Sequence, residues 1–165
     1  LGLDVKTNIA LTIFEQLTTL SGWRQEKSVN RIAKNYVDKL SIRTPSIDQK
    51  AKNLSGGNQQ KLVIGKWLAK DADILIFDEP TRGIDVGAKQ EIYTLLNDLA
   101  SEGKSIIMIS SELPEILRMS HRVLVMCEGR VTGVLDYKEA NQESIMQLAT
   151  MRNGGNSSNQ HRNGM

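Results

Sequence analysis

The chain has 165 residues and a formal charge of +2, a length that suits one domain with a sizeable core. The small charge gives no argument for nucleic acid as a partner, and the single Cys127 excludes a disulfide framework and predicts a core thiol in a reducing compartment. No apolar stretch approaches the roughly 18 residues of a membrane span, and no signal peptide is visible.

The first 52 residues predict two helices. A turn at Ser21-Gly22 separates them, and Ile42-Arg43-Thr44-Pro45-Ser46 breaks the second because the residue before a proline avoids the α conformation. A third helix is expected from about Ser55 to Lys70. The apolar residues at helical spacing in the first two helices are Ile9, Leu11, Ile13, Phe14, Leu17, Leu20, Ile32, Tyr36, Val37 and Leu40.

Strands and helices alternate in the rest of the chain. This order predicts an α/β fold, with an α-helical part followed by a mostly parallel sheet flanked by helices. The apolar runs at 73–78 and 105–110 are typical of parallel strands buried between two layers of helices. The other predicted elements are a helix at 87–101 closed by Gly103, a helix at 112–119, a strand at 122–127, a paired strand ending near Asp136 and a helix at 138–150.

The segment Leu54-Ser55-Gly56-Gly57-Asn58-Gln59-Gln60 predicts a phosphate site. Ser55 can cap the helix that follows, and the two glycines allow backbone N–H groups to approach a ligand closely. The free N–H groups and the positive end of the helix dipole then attract an anion. The alternative is an ordinary capped helix after a loop.

Two acids follow the buried strand Ile74-Leu75-Ile76-Phe77. Asp78 and Glu79 then lie at the carboxyl end of that strand, where open α/β sheets bind their ligands. An Asp in this place holds Mg²⁺ in phosphate-loop ATPases, and Glu79 is placed to orient and polarise the attacking water. For these residues alone, a solvated acidic turn is the alternative.

Together the two segments resemble the ATP-binding subunits of ABC transporters. Leu54 to Gln60 is similar to the family's signature motif, Ile74 to Glu79 to its Walker B strand, and Gly83-Ile84-Asp85 to its D-loop. Three features resemble the C-terminal nucleotide-binding domain of bacterial monosaccharide importers of the ribose, galactose and xylose type. They are Asn58 in the signature, Arg43-Thr44-Pro45-Ser46 before it, and the run from Thr81 to Lys89. The resemblance covers about residues 1 to 150.

One position departs from the family pattern. The family has a switch histidine after the next strand, whereas Ile109-Ser110-Ser111-Glu112 places Ser111 there. A serine can donate a hydrogen bond to a γ-phosphate but cannot carry the charge of an imidazole. The resemblance therefore implies weaker hydrolysis in the ATP site that is built on this domain.

The resemblance implies a role for each candidate residue. Cofactor binding falls to Leu54, Ser55, Gly56, Gly57, Gln59 and Asp85, Mg²⁺ binding to Asp78, and catalysis to Glu79 and Ser111. It also implies a partial P-loop NTPase fold, with an α-helical signature subdomain at 1–70 and the Walker B, D-loop and switch part of the ATPase core at 71–151. The polar residues at 152–165 predict a disordered tail.

The sequence contains no G-x-x-x-x-G-K-[ST] phosphate loop. We therefore expect a piece of a longer chain, with this loop upstream, and an isolated fragment that is inactive. The resemblance implies ATP and Mg²⁺ as cofactors and a second nucleotide-binding domain as partner, upstream in the same full-length chain. It further implies a transmembrane sugar permease, an indirect link to a periplasmic sugar-binding protein, and a peripheral place on the cytoplasmic face of the bacterial inner membrane.

Two other functions stay open from the sequence. One is an ABC ATPase that works without a permease, for which a basic arm or a long coiled-coil insertion would be evidence, and neither is present. The other is a non-catalytic regulatory fragment.

Overall fold

The structure is a computed structural model that describes residues 2–17 and 26–151. It divides into two compact units, Leu1–Ser111 and Glu112–Met165. The division falls after Ser111, so the predicted boundary between 70 and 71 lies inside the first unit. The predicted turn at Ser21-Gly22 and the predicted tail at 152–165 lie outside the described residues.

Three helices form the helical part of the first unit. They are α1 (Val5–Ala10), which continues as a 3-10 helix at Leu11–Leu17, α2 (Glu26–Lys39) and α3 (Gly56–Leu68). Asp4 starts α1 by accepting a hydrogen bond from the Thr7 N–H at 2.8 Å. α1 packs on α2 and α3, which confirms the predicted helices. Their buried apolar side chains include Val5, Ile9, Ile13, Val29, Ala33, Leu62 and Ile64.

Leu11 does not belong to this core. Its side chain is 43% exposed, although the sequence places it on the apolar face of the first helix. Ile9 and Ile13 are four residues apart and share a face, whereas Leu11 lies two residues from each and points to the other side.

A parallel strand pair and one helix complete the first unit. β1 (Ile74–Asp78) and β2 (Ser105–Ile109) run parallel with Ile76 opposite Ile107, and α4 (Val86–Ser101) connects them. The chain leaves α4 through Gly103 at φ +93°, the left-handed conformation that glycine adopts without strain. These elements confirm the predicted strand, helix and strand.

The predicted burial of both faces of these strands is wrong. Leu75 and Phe77 are buried, but Ile74 and Ile76 on the other face of β1 are 61% and 65% exposed. Ile107 and Ile109 of β2 share that open face and are 51% and 50% exposed. Alternate residues of a strand point to opposite faces, and the described part of the chain covers one face of this pair.

The second unit contains a β-hairpin and two helices. α5 (Leu113–Met119) precedes the antiparallel strands β3 (Arg122–Cys127) and β4 (Arg130–Asp136). Glu128 and Gly129 form the turn with φ of +50° and +77°, as a two-residue hairpin loop requires. The strands and their turn are as predicted, but Cys127 at the end of β3 is half-buried rather than in the core.

The last helix starts later than the predicted residue 138. α6 covers Gln142–Ala149 because Asn141 and Ser144 form a reciprocal capping box: the Asn141 side chain accepts from the Ser144 N–H, and the Ser144 side chain accepts from the Asn141 N–H. Ile145 of α6 packs with Val123 and Val125 of β3 to form the small core of this unit.

Candidate functional site

The start of α3 holds the predicted phosphate site. Ser55 occupies the N-cap position in an extended conformation, at φ −61° and ψ 157°. Its side chain does not cap the helix, which corrects the sequence-based expectation. Instead, the Asn58 Nδ2 group donates a hydrogen bond to Ser55 Oγ at 2.8 Å. The first N–H groups of α3 have no acceptor within the helix, so they stay available to a ligand.

Gly56 and Gly57 bring this helix start close to the beginning of α4. A Cβ atom on Gly57 would lie 2.6 Å from Ala88 Cβ, a distance at which two carbon atoms overlap. A Cβ atom on Gly56 would lie 3.5 Å from Ile84 Cγ2, an ordinary contact. The segment that resembles the signature motif therefore packs directly on the segment that resembles the D-loop.

Leu54 and Gln59 shape the loop before α3. Leu54 is 8% exposed, and the Gln59 Nε2 group donates to the Leu54 carbonyl at 2.8 Å and to the Lys52 carbonyl at 3.3 Å. These contacts fix the entry of the chain into α3. The predicted contact of both residues with a cofactor stays a prediction.

Asp85 begins α4 as its N-cap. Its Oδ1 atom accepts a hydrogen bond from the Ala88 N–H at 2.9 Å. The carboxylate thus fixes the helix end against which Gly57 packs. A direct contact of Asp85 with ATP stays a prediction.

A second group of candidate residues lies at the carboxyl ends of β1 and β2. The Glu79 N–H donates to the Ile109 carbonyl at 2.8 Å, and Glu79 Oε1 accepts from the Ser111 N–H at 2.9 Å. Both predicted catalytic residues are therefore in contact. Glu79 also adopts φ +49°, which costs about 1–3 kcal/mol for a residue other than glycine and persists where neighbouring contacts fix it.

Asp78 is exposed at the last position of β1, beside this pair. Within residues 2–17 and 26–151, no group of three or more His, Cys, Asp or Glu side chains could enclose a metal. Mg²⁺ in nucleotide sites takes one or two carboxylates and completes its shell with water and phosphate oxygens. A single exposed Asp78 carboxylate fits that chemistry.

The sequence did not reveal an ion cluster between α3 and α4. Lys61 is 5% exposed, and its Nζ atom lies 2.8 Å from Glu91 Oε2 and donates to the Ser41 carbonyl at 3.2 Å. The Arg43 guanidinium approaches Glu91 Oε1 at 3.3 Å. The position of Lys61, four residues after Gly57 on the inner side of α3, could have indicated its burial. We did not predict this, because long charged side chains in helices are usually exposed.

The ion cluster should make the stability of the first unit depend on acid pH. The hydrogen bond from Lys61, its charge and the weaker influence of Arg43 hold the pKa of Glu91 below its ordinary value of 4.5. A depressed carboxyl pKa stabilises the fold fully above that ordinary value, and the stabilisation is lost as pH falls through the lowered pKa. Urea midpoints of the chain and of Glu91→Gln should therefore differ at pH 7 and begin to converge as pH falls below about 4.5. A difference that stays constant down to pH 3 would contradict this assignment.

No helix in the described ranges is both long and apolar enough to cross a membrane.

The chain is similar to known ATP-binding proteins. Residues 3–82 match the family model described as ABC transporter. A ribose/galactose/methyl galactoside import ATP-binding protein of Burkholderia ambifaria is 62% identical over 151 residues, which is 92% of this chain and 29% of the relative. A ribose import ATP-binding protein of Clostridium perfringens is 52% identical over 149 residues, or 90% of this chain and 30% of that protein. The chain thus spans about 30% of the length of these relatives.

Solved structures show the same fold. An inward-facing structure of a metal-chelate type ABC transporter matches with a TM-score of 0.76 and 15% identity, over 90% of this chain and 58% of that one. An ATP-binding cassette of another ABC transporter matches with a TM-score of 0.73 and 20% identity, over 88% and 62%. The chain therefore contains an ABC transporter family domain at residues 3–82, and its fold is that of the ABC ATPase domain.

Proposed function

We propose that this chain is the C-terminal part of the ATPase that energises monosaccharide import through an ABC transporter. The observation that carries the proposal is the start of α3, where the Ser55 side chain leaves the first N–H groups uncapped and Gly56 is exposed. The relatives named as sugar import ATP-binding proteins support the choice of cargo. The chain would then sit peripherally at the cytoplasmic face of the membrane.

The candidate residues divide between two ATP molecules. One group closes over ATP carried by a partner nucleotide-binding domain. It consists of Ser55, Gly56 and Gly57, with the neighbouring Leu54, Gln59 and Asp85. Asp78, Glu79 and Ser111 serve ATP held on a phosphate loop of their own domain, a sequence that the 165 residues do not contain. The signature part of the chain is thereby residues 1–70, and the hydrolytic part is residues 71–151.

Glu79 orients the attacking water. The Ser111 N–H holds one of its carboxylate oxygens, and a carboxylate has a second oxygen that can accept a proton from water. Asp78 would hold Mg²⁺, which neutralises phosphate charge when bound. The Ser111 side chain can donate to a phosphate, but it supplies no positive charge. The site that contains this acid pair is therefore the weaker of the two.

ATP dissociation from the partner domain tests the shared site. The partner domain, which carries a phosphate loop, is loaded with a fluorescent ATP analogue, and its release is followed with and without this chain. We expect the chain to slow release and Ser55→Ala to remove most of that effect. Unchanged release with the unaltered chain would refute the proposal. The 165-residue chain alone should show no ATPase activity, because positioning of the phosphates requires the missing loop.

Sugar uptake tests the transport role. Deletion of the gene that encodes this chain should abolish uptake of the imported monosaccharide, for which radiolabelled ribose, galactose and xylose are the first probes. The permease and the periplasmic binding protein select the sugar, and this chain supplies the ATPase. Retained uptake of all three sugars would remove the monosaccharide assignment and leave the ATP site untouched.

A further inference from the structure

We propose that Asn58 is a positioning residue that presents the hydroxyl of Ser55 to phosphate as a hydrogen-bond donor. The inference rests on the proposed function, because it concerns the signature segment that closes over the partner's ATP.

The hydroxyl of Ser55 has one proton to donate and can accept through its lone pairs. At most helix starts a serine accepts a hydrogen bond from the backbone of the first turn. Here the Ser55 side chain makes no such bond, and it accepts from Asn58 Nδ2 at 2.8 Å instead. Because Asn58 donates in this contact, the proton of Ser55 must point elsewhere.

The loop before α3 fixes the orientation of the Asn58 amide. Asn58 Oδ1 accepts a hydrogen bond from the Arg43 N–H at 2.8 Å. If the amide were flipped, its NH₂ group would face the Arg43 N–H, and two donors would meet. The backbone at Arg43 therefore requires the Nδ2 group to face Ser55.

This arrangement suits an anion at the end of α3. Phosphate oxygens only accept hydrogen bonds, so a hydroxyl that faces them must donate its proton. Ser55 and Gly56 are exposed at the start of α3, where the first N–H groups have no acceptor within the helix. The half-buried Asn58 donates to the Ser55 oxygen and leaves the Ser55 proton available to the ligand.

A purely structural role for Asn58 is the competing interpretation. The same two bonds connect the loop at Arg43 to α3 and would stabilise the fold without affecting the hydroxyl. The two roles differ in one respect: positioning acts only through Ser55, whereas loop stabilisation does not require the hydroxyl. A double-mutant cycle between these residues separates them.

The experiment measures kcat/KM for ATP in the assembled transporter that contains this chain, together with its unfolding midpoint. The four proteins are the unaltered chain, Ser55→Ala, Asn58→Ala and the double variant. We expect Asn58→Ala to lower kcat/KM about three- to tenfold, the range of one hydrogen bond, when Ser55 is present. In the Ser55→Ala background the same change should have less than about a twofold effect.

A second cycle uses Asn58→Asp, which keeps the shape of the side chain and an oxygen for the Arg43 N–H. The carboxylate removes the donor to Ser55 Oγ, so the Ser55 proton turns toward it. Its added charge acts in both backgrounds and cancels in the ratio of the two effects. We expect a loss in kcat/KM that depends on Ser55, with the unfolding midpoint unchanged.

Each outcome has one meaning. An equal effect of Asn58→Ala with and without the Ser55 hydroxyl overturns the inference, as does no effect at all, and in both cases the proposed function stands. If Ser55→Ala itself leaves kcat/KM unchanged, the hydroxyl does not contact ATP and the inference is overturned, whereas the proposed function fails only if the unaltered chain does not slow ATP release from the partner domain.

Discussion

Gly57→Asp should reduce the ATPase activity of the assembled transporter to background. The new carboxylate would lie at the end of α3, where we place the phosphates of the partner's ATP, and like charges repel there. The side chain also has no room, because a Cβ atom at this position lies 2.6 Å from Ala88 Cβ. The measurement is steady-state ATP hydrolysis of the purified assembly.

Charge and steric overlap can be separated in this experiment. Gly57→Ala adds only the methyl group, and Ala88→Gly removes the atom that it meets. The double variant Gly57→Ala with Ala88→Gly should recover much of the activity lost by Gly57→Ala alone. Gly57→Asp with Ala88→Gly should stay inactive. Recovery of activity in that last variant would show that overlap, and not charge, causes the loss.

Glu79→Gln is the matched change in the other half of the site and should cost less activity. A glutamine keeps an oxygen that can accept from the Ser111 N–H, so the local structure should persist while the carboxylate is lost. We assign Glu79 to the weaker ATP site because the family resemblance implies a switch histidine at the position of Ser111, and a serine cannot carry the charge of an imidazole. Equal losses from Gly57→Asp and Glu79→Gln would contradict this asymmetry.

The chain's local patterns predicted its elements well. The sequence predicted the glycine-rich start of α3, the acids at the end of β1 and the glycine after α4, because each is determined by neighbouring residues. The late start of α6 was missed, since a capping box at Asn141 and Ser144 overrode the helical pattern of the residues before it.

Contacts between distant segments were not predictable from one sequence. Apolar Ile74 and Ile107 indicated burial, but burial of a strand face depends on what packs against it, and that partner is not encoded in the strand. The same limit applies to the site. Sequence spacing identified Ser55 as a helix cap, whereas its actual partner, Asn58, is oriented by the backbone of Arg43, 15 residues earlier.

The ion cluster between α3 and α4 leads to the largest expected effect on stability. Its two main members are unequally buried: the Lys61 side chain is 7% exposed and that of Glu91 is 44% exposed. A change that leaves Lys61 without its counter-charge keeps an ammonium out of water. A change that leaves Glu91 alone releases a carboxylate that water and Arg43 can still reach.

Glu91→Leu should therefore destabilise the chain more than Lys61→Met. We expect Glu91→Leu to lower the free energy of unfolding by about 2 kcal/mol, less than is typical of fully buried pairs, because the Ser41 carbonyl still accepts from Lys61. Lys61→Met keeps the apolar stem and should cost about 1 kcal/mol or less. Urea unfolding at pH 7 measures both values.

The double variant Lys61→Met with Glu91→Leu decides between charge and packing as the cause. If the uncompensated ammonium destabilises Glu91→Leu, removing that ammonium as well should restore most of the lost free energy of unfolding. If the loss instead reflects poorer contact between α3 and α4, the two single effects should add. The order of the single effects matters equally, because a greater cost for Lys61→Met would mean that the bonds of the ammonium to Glu91 and the Ser41 carbonyl contribute more stability than its burial costs.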